Sequence, residues 1–351
     1  MGIPFDRYHR QKLLPEIGGP GQACLARGRV LIVGCGALGC AQADLLVRAG
    51  VGHVRIVDRD VVEPTNLQRQ VLYAEADVGK AKALAAADRL RAINSGVTIE
   101  PIAADATSEN IEDLAEDADA ILDGTDNFET RFLLNDVSVK LGVPYVYGGV
   151  IAGRGMAATL VPGDGPHATP CLRCLLAEAP PPGSVPTCDT AGVLGPAVSI
   201  VAAQQSADAM KILLGRLDLL SGTLLEFDLF GNSRRRLELA AIAGDRSACW
   251  CCGQRRFDFL EGGSGSSAQA LCGRGAVQVS PAAGAVVVLD ELVGRLEAHG
   301  PCRRVGPLLK AEASQGDRQF GLTVFPDGRA IISGTEDPAE ARSIYARLIG
   351  A

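Results

Sequence analysis

The sequence predicts an α/β fold: a Rossmann-like, doubly wound, mostly parallel sheet with added antiparallel strands, followed by a small C-terminal α+β unit. Three observations predict it. Short apolar runs ending in Gly or Asp alternate with helical stretches through the first 150 residues, the pattern of a parallel sheet covered by helices. Glycine is abundant, at 42 residues, and aromatics are scarce, at 4%, which suits close packing and many tight turns. The length of 351 residues, set against roughly 150 per domain, leaves room for more than one unit.

The elements follow in order. Residues 29–34 (RVLIVG) form a short apolar run suited to a buried parallel strand. Gly34-Cys35-Gly36-Ala37-Leu38-Gly39 follows, then a helical stretch to about Ala49, then a strand from His53 to Val57 ending at Asp58. Residues 79–93 are rich in strong helix formers, and Thr98 to Ala103 suits a strand. Ala120 to Asp123 is a strand entering Gly124-Thr125-Asp126-Asn127. Glu129 to Leu141 is a helix, and Pro144 to Gly149 a strand. A strand at Met156–Val161 leads into a Pro-rich loop from Pro162 to Thr190, long enough to suggest function. Pro196 to Leu214 reads as a long helix of small residues. Thr223–Asp228 and Arg235–Leu239 suit antiparallel additions to the sheet. The first unit is expected over 1–261, with 262–268 (GGSGSSA) a linker by composition. The tail, 269–351, is expected to hold a strand at Val286–Leu289 and a helix at Asp290–His299. A hairpin is expected across Pro326-Asp327-Gly328, and a last helix at Pro338–Leu348.

Composition excludes several classes. Lys+Arg 34 against Asp+Glu 41 gives a net charge of −7, unlike a general nucleic-acid binder, which needs a basic surface to replace counterions. The longest apolar stretch is broken by Gly195 and Pro196 and is too short to span a bilayer. Residues 1–18 are charged from Asp6 onward and have no apolar leader core. The expectation is a cytoplasmic protein with no membrane partner. Eleven cysteines, an odd number at wide spacing, argue against a disulfide framework.

The chemistry-bearing residues cluster. A strand, a Gly-rich turn, a helix, a second strand and a terminal acid make a dinucleotide-binding unit. Glycines permit close backbone approach, the helix N-terminus meets phosphate, and Asp58 is placed for a ribose hydroxyl. Arg69 and Lys82 follow. A nicotinamide site rarely needs such cations, whereas a triphosphate site does, with an acid to hold Mg²⁺. Asp126, just past a strand end, is the Mg²⁺ candidate. Cys171-x-x-Cys174 and Cys249-x-x-Cys252 are two knuckles whose four thiolates suit tetrahedral Zn²⁺. Cys251 could replace a member of the second pair but is expected to be spare. Cys188 sits in the long loop near a helix N-terminus, where a thiolate is favoured. It is either a reactive thiol or an inert loop residue. Cys272 follows the linker, with no assignable role.

Taken in order, RYHRQ at 7–11, GCGALG at 34–39, NLQRQ at 66–70, DGTDNFETR at 123–131, CLRC at 171–174, AGVLGP at 191–196 and the late cysteine pair resemble the ThiF/MoeB family. These are bacterial relatives of ubiquitin-activating enzymes. The resemblance implies a nucleotidyltransferase that uses MgATP to adenylate the C-terminal glycine carboxylate of a small ubiquitin-like sulfur carrier ending in Gly-Gly. The thiocarboxylate then serves thiamine or molybdopterin biosynthesis, with a cysteine desulfurase or rhodanese-type protein as possible sulfur donor. It also implies residue roles. Gly34, Gly36 and Gly39 form the nucleotide loop and Asp58 the ribose ligand. Asn66, Arg69, Lys82 and Asn127 join the ATP site, and Asp126 holds Mg²⁺. Arg10 matches an arginine that family homodimers insert into the partner's site. Cys188 matches a cysteine that can link covalently to the carrier. Two rival readings are an NAD(P)-dependent oxidoreductase, which leaves Arg69, Lys82 and the paired knuckles unexplained, and a non-catalytic scaffold partner.

Overall fold

The computed structural model describes residues 6–180, 191–261, 267–271, 275–281, 287–305, 308–315 and 318–350. Strands β1 (Arg29–Val33), β2 (His53–Val57), β3 (Thr98–Ile102), β4 (Ala120–Asp123), β5 (Tyr145–Ile151), β6 (Arg154–Leu160), β7 (Thr223–Asp228) and β8 (Ser233–Glu238) form one sheet, in the order β3-β2-β1-β4-β5-β6-β7-β8. Neighbours from β3 to β5 pair in parallel, and β5 through β8 pair antiparallel. The order reverses between β1 and β4, so a crevice opens beyond their carboxyl ends.

Both faces of the sheet's centre are buried, so β1 and β4 read as near-continuous apolar runs rather than alternations, whereas β8 at the edge is exposed. Along β1, Val30 and Ile32 enter one core and Leu31 and Val33 the other. After the short helices α1 (His9–Lys12) and α2 (Gly18–Leu25) come α3 (Ala37–Ala49) and α4 (Lys82–Ile93), which pack on the first face through Leu46, Val47, Ala86 and Leu90. On the second face lie α5 (Ile111–Ala115) and α6 (Phe128–Leu141), through Ile111, Phe132, Leu134 and Val137. Each such fully buried Leu, Ile or Phe contributes roughly 1.5–3 kcal/mol relative to exposure. Helix α4 starts three residues later than the composition suggests. Gly79 is left-handed (φ 86°) and Ala81 is bridged to Val61, so the chain is still turning there.

A short α7 (Leu172–Leu175) carries the first knuckle, α8 (Gly195–Leu213) crosses behind β5 and β6, and α9 (Leu239–Ile242) follows β8. Buried glutamines bind α3 and α8 to the sheet. Gln42 Nε2 donates to Gln205 Oε1 at 2.6 Å and to the Asp123 carbonyl at 2.8 Å. Gln205 Nε2 donates to the carbonyls of Asp123 and Val146, each at 3.0 Å. Gly148 is required opposite, because a Cβ there would sit 2.4 Å from the Gln205 amide.

The tail forms its own sheet and core. β9 (Ser267–Leu271), β10 (Ala276–Ser280), β11 (Cys302–Val305), β12 (Leu308–Gln315), β13 (Arg318–Val324) and β14 (Ala330–Ser333) are antiparallel, in the order β11-β12-β13-β14-β10-β9. Helices α10 (Leu289–Leu296) and α11 (Pro338–Leu348) bury Leu292, Leu296, Ile344, Tyr345 and Leu348 against it. Two expectations fail here. Residues 267–268 of the expected linker belong to β9, where Ser267 and Ala268 pair with Ser280 and Val279. The expected strand at Val286–Leu289 is not formed by its described residues. Val288 is exposed and caps α10, and Leu289 is its first residue. The hairpin at Pro326-Asp327-Gly328 and the helix at Pro338 stand where expected, with Asp337 accepting from the Ala339 N–H as N-cap.

Gln205→Ala removes one amide that serves two buried carbonyls and Gln42. We expect a loss of about 2–3 kcal/mol in unfolding free energy, read as a lower urea midpoint. An unchanged midpoint would show that the pair does not hold the layers together.

Candidate active site

A cavity of about 810 Å³ lies beyond the carboxyl ends of β1, β2 and β4. Its floor is a backbone contact. Gly34 is left-handed (φ 88°), and a Cβ on it would lie 2.6 Å from the Gly124 carbonyl oxygen. A Cβ on Gly124 would lie 2.2 Å from the Gly34 oxygen. Gly39 faces the same Gly34 oxygen at 1.9 Å from an added Cβ. Gly34 and Gly36 line the cavity, but Gly39 does not. Its role is to let α3 pack onto the loop.

Asp58 lies at the end of β2, buried, and accepts the N–H of Cys35 at 2.6 Å and of Asp60 at 2.7 Å. These bonds tie the Gly-rich loop to the second strand. Desolvation pushes the Asp58 carboxyl up to about 6, against the opposing charge of Lys82. Lys82, also buried, pairs with Asp60 at 3.0 Å. Asp60, Asp58 and Asp126 hold it charged above its ordinary range despite desolvation, the largest single influence. Asp126 is exposed on the cavity wall, within electrostatic reach of Lys82 and Arg59.

Asn66 is buried and lines the cavity. Its side-chain oxygen accepts the Glu63 N–H at 3.1 Å, fixing the turn that carries Arg69. Arg69 lines the cavity and donates to the Thr65 carbonyl. Asn127 lines it too, while serving as N-cap of α6 through Thr130 N–H at 2.9 Å. The structure therefore brings Gly34, Gly36, Asp58, Asn66, Arg69, Lys82, Asp126 and Asn127 to one cavity. Arg10 lies elsewhere. It is exposed on α1, which Gln11 fastens to the Ala49 carbonyl. Cys188 and Cys272 lie outside the described residues.

Several wall residues were assigned no role from sequence. Arg131 is buried, bonded to Asp123 at 3.2 Å and to the carbonyls of Thr125 and Gly148, and lies over the rings of Phe128 and Tyr147. Asp123 in turn accepts from the Tyr145 hydroxyl at 2.7 Å and from Thr125. This network fixes the loop that presents Asp126. Arg131 lies inside the motif DGTDNFETR, so its presence was readable and its function was not. Arg59, Glu63 and Asp105 also line the cavity.

The cysteine cluster is separate. The sulfurs of Cys171, Cys174, Cys249 and Cys252 lie within 4.8 Å of one another. Individual separations are 3.8 Å (171–174), 3.7 Å (171–249) and 3.4 Å (174–252). A tetrahedron with Zn–S bonds of about 2.3 Å has edges of roughly 3.8 Å, so the donor set fits that ion in number, softness and size. Cys251 stays outside the set. It is buried and accepts from the Asn135 amide at 3.2 Å, while Asn135 accepts the Leu172 N–H at 2.8 Å. Asn135 thus links α6 to both knuckles.

Comparison with known proteins follows this geometry. A profile described as the ThiF family matches residues 8–251. The chain is 45% identical over 346 residues to the sulfur carrier protein ThiS adenylyltransferase of Bacillus subtilis (strain 168), covering 98% of this chain and 99% of that one. It is 45% identical over 239 residues to the sulfur carrier protein adenylyltransferase of Thermus thermophilus, covering 66% and 86%. Among solved structures, E. coli MccB with MccA-N7isoASN aligns at a TM-score of 0.62 and 24% identity, over 71% of this chain and 75% of that one, a likeness of fold. With the profile spanning most of the chain and one relative aligned end to end, the chain belongs to the ThiF family.

Proposed function

We propose that this enzyme transfers AMP from MgATP to the C-terminal carboxylate of a ThiS- or MoaD-like sulfur carrier, releasing pyrophosphate. One observation carries the reading: Asp58, Arg69, Lys82 and Asp126 converge on one cavity at the switch point of the sheet. The end-to-end likeness to a ThiS adenylyltransferase supports the thiamine branch over the molybdopterin one.

The chemistry needs little from the protein beyond positioning and charge. The attacking carboxylate is already ionised at neutral pH, so no strong base is required. It forms a bond to the α-phosphorus while the bond to the leaving pyrophosphate breaks, and the electron pair departs with the leaving group. Lys82 and Arg69 offset charge on the phosphate oxygens. Asp126 is the residue that would hold Mg²⁺, which neutralises the polyphosphate when bound. Asp58 accepts ribose hydroxyls, and the loop of Gly34 and Gly36 lets the backbone approach phosphate. Arg10 is assigned to a second copy in a homodimer, a role supported by its exposure and its position away from its own cavity. Cys188 is the candidate thiol for a later sulfur-transfer step, with a cysteine desulfurase or rhodanese-type donor. The four-cysteine site holds Zn²⁺ as a clip between segments 75 and more residues apart in sequence, limiting the freedom of the intervening chain.

Three outcomes are expected. Pyrophosphate exchange with ATP requires a carrier ending in Gly-Gly, and Asp126→Ala reduces it at least about a hundredfold. Absence of exchange with both ThiS-like and MoaD-like carriers would overturn the reading. Nucleotide affinity weakens as pH falls through about 6, because the raised Asp58 carboxyl takes up a proton and loses acceptor capacity. The wild-type titration of Kd against pH should bend there, and Asp58→Asn should be weak and flat. Elemental analysis should find about one zinc per chain, and Cys171→Ser should lower both zinc content and melting temperature. A metal-free wild type with unchanged melting would remove the clip.

A further inference from the structure

The C-terminal unit does more than follow the first one: it reaches the same cavity. Gln315, Phe320, Ser343, Ala346 and Arg347 line it beside Asp58, Asp60 and Glu63. Helix α11 is two-faced. Ala341, Ile344, Tyr345 and Leu348 enter the tail's core, while Arg342, Ser343, Ala346 and Arg347 occupy the other side at helical spacing. That second side meets the carboxylates of the sheet unit. Arg342 Nη2 lies 3.4 Å from Asp105 and Arg347 Nη1 lies 3.8 Å from Glu63. Ser343 Oγ lies 3.5 Å from Asp60, the partner of Lys82. Gln315 donates to Glu63 and accepts from Arg347 at 2.6 Å.

The charges explain what these contacts achieve. Around the end of β2, the sheet unit places four carboxylates, Asp58, Asp60, Glu63 and Asp105, against two cations, Arg59 and Lys82. Left so, this half of the cavity is formally negative and repels a polyphosphate, and Lys82 is drawn to Asp60. Arg342 and Arg347 bring the group to formal neutrality. The charge of Arg347 also lowers the Asp60 carboxyl alongside Lys82 and Arg59, against desolvation.

We propose that the C-terminal unit is the nucleoside-side wall of the nucleotide site, with Arg342 and Arg347 as positioning residues that set nucleotide affinity. This rests on the adenylation reading. The Thermus relative, which aligns over only 66% of this chain, is named as an adenylyltransferase too. The tail therefore tunes binding and is not a source of the chemistry.

The test uses the full chain. The double variant Arg342→Ala/Arg347→Ala should raise the Kd and KM for MgATP about tenfold, as expected for two partly exposed charge pairs. It should speed release of a fluorescent ATP analogue. Carrier KM should not move, and kcat at saturating ATP should change less than about twofold. Arg347→Lys alone, which keeps the charge, should retain most of the affinity that Arg347→Ala alone loses. Wild type that fails to bind MgATP defeats the adenylation reading itself. Wild type that binds, with the double variant binding equally well, defeats this inference alone. A raised carrier KM at unchanged ATP affinity would overturn it in favour of carrier docking. Equal losses in every parameter with a lower melting temperature would overturn it in favour of a purely structural contact.

Discussion

Two backbone turns, Gly34 after β1 and Gly124 after β4, approach so closely that neither has room for a side chain. The geometry of the cavity hangs on that contact. It exists because the strand order reverses between β1 and β4, so their connections leave in opposite directions and must share the space beyond the sheet. The glycines let the loops touch, and Gly39 then lets α3 sit directly on the Gly34 carbonyl. Asp58 is held to the Gly-rich loop through Cys35 N–H, and Asp126 follows Gly124 by two residues. A displacement of one loop would therefore move Asp58 and Asp126 relative to each other across the cavity.

Buried polar groups keep this arrangement rigid. Asp123 points away from the cavity and is consumed by Arg131, Tyr145 and Thr125, so it serves the geometry and leaves Asp126 to face outward. Gln42 and Gln205 take up the Asp123 carbonyl from behind. Such networks are costly when half-satisfied and specific when complete. The same logic separates the cysteines. Cys251 is bonded to Asn135, while the four sulfurs of the knuckles lie within 4.8 Å of one another.

Much of this was readable in the sequence because the signals are local. The strand-loop-helix-strand-acid order runs without interruption from residue 29 to 58, Arg69 and Lys82 follow in the next segment, and each knuckle spans four residues; the structure places them at one cavity and one sulfur cluster. Spacing alone could not choose between Cys251 and Cys252, since that depends on a residue more than a hundred positions away. The tail was harder. In β12 the buried positions include Ala311 and Ala313, whose small side chains give an alternation too weak to mark a strand. The apolar run ending at Leu289 suggested a strand, yet Val288 is exposed and Leu289 begins a helix.

The least readable feature is also the one with the greatest consequence for the site. Arg342 and Arg347 look, in sequence, like solvated charges on the outer face of a terminal helix, the ordinary reading of such residues. What ties them to the cavity, Arg347 on its lining and Arg342 through Asp105, is an acidic surplus around Asp58, assembled from residues 58, 60, 63 and 105, that no local pattern announces. The acid cluster fixes Lys82; under the proposed adenylation it would also offer ribose acceptors, at the cost of opposing the phosphates. On the inference above, a second unit carrying cations resolves the conflict without placing another lysine or arginine between Asp58 and Asp126. On this view the tail's attachment follows from the electrostatics of the first unit. The tail's core, complete in itself, needs only to hold α11 at the correct height above β2.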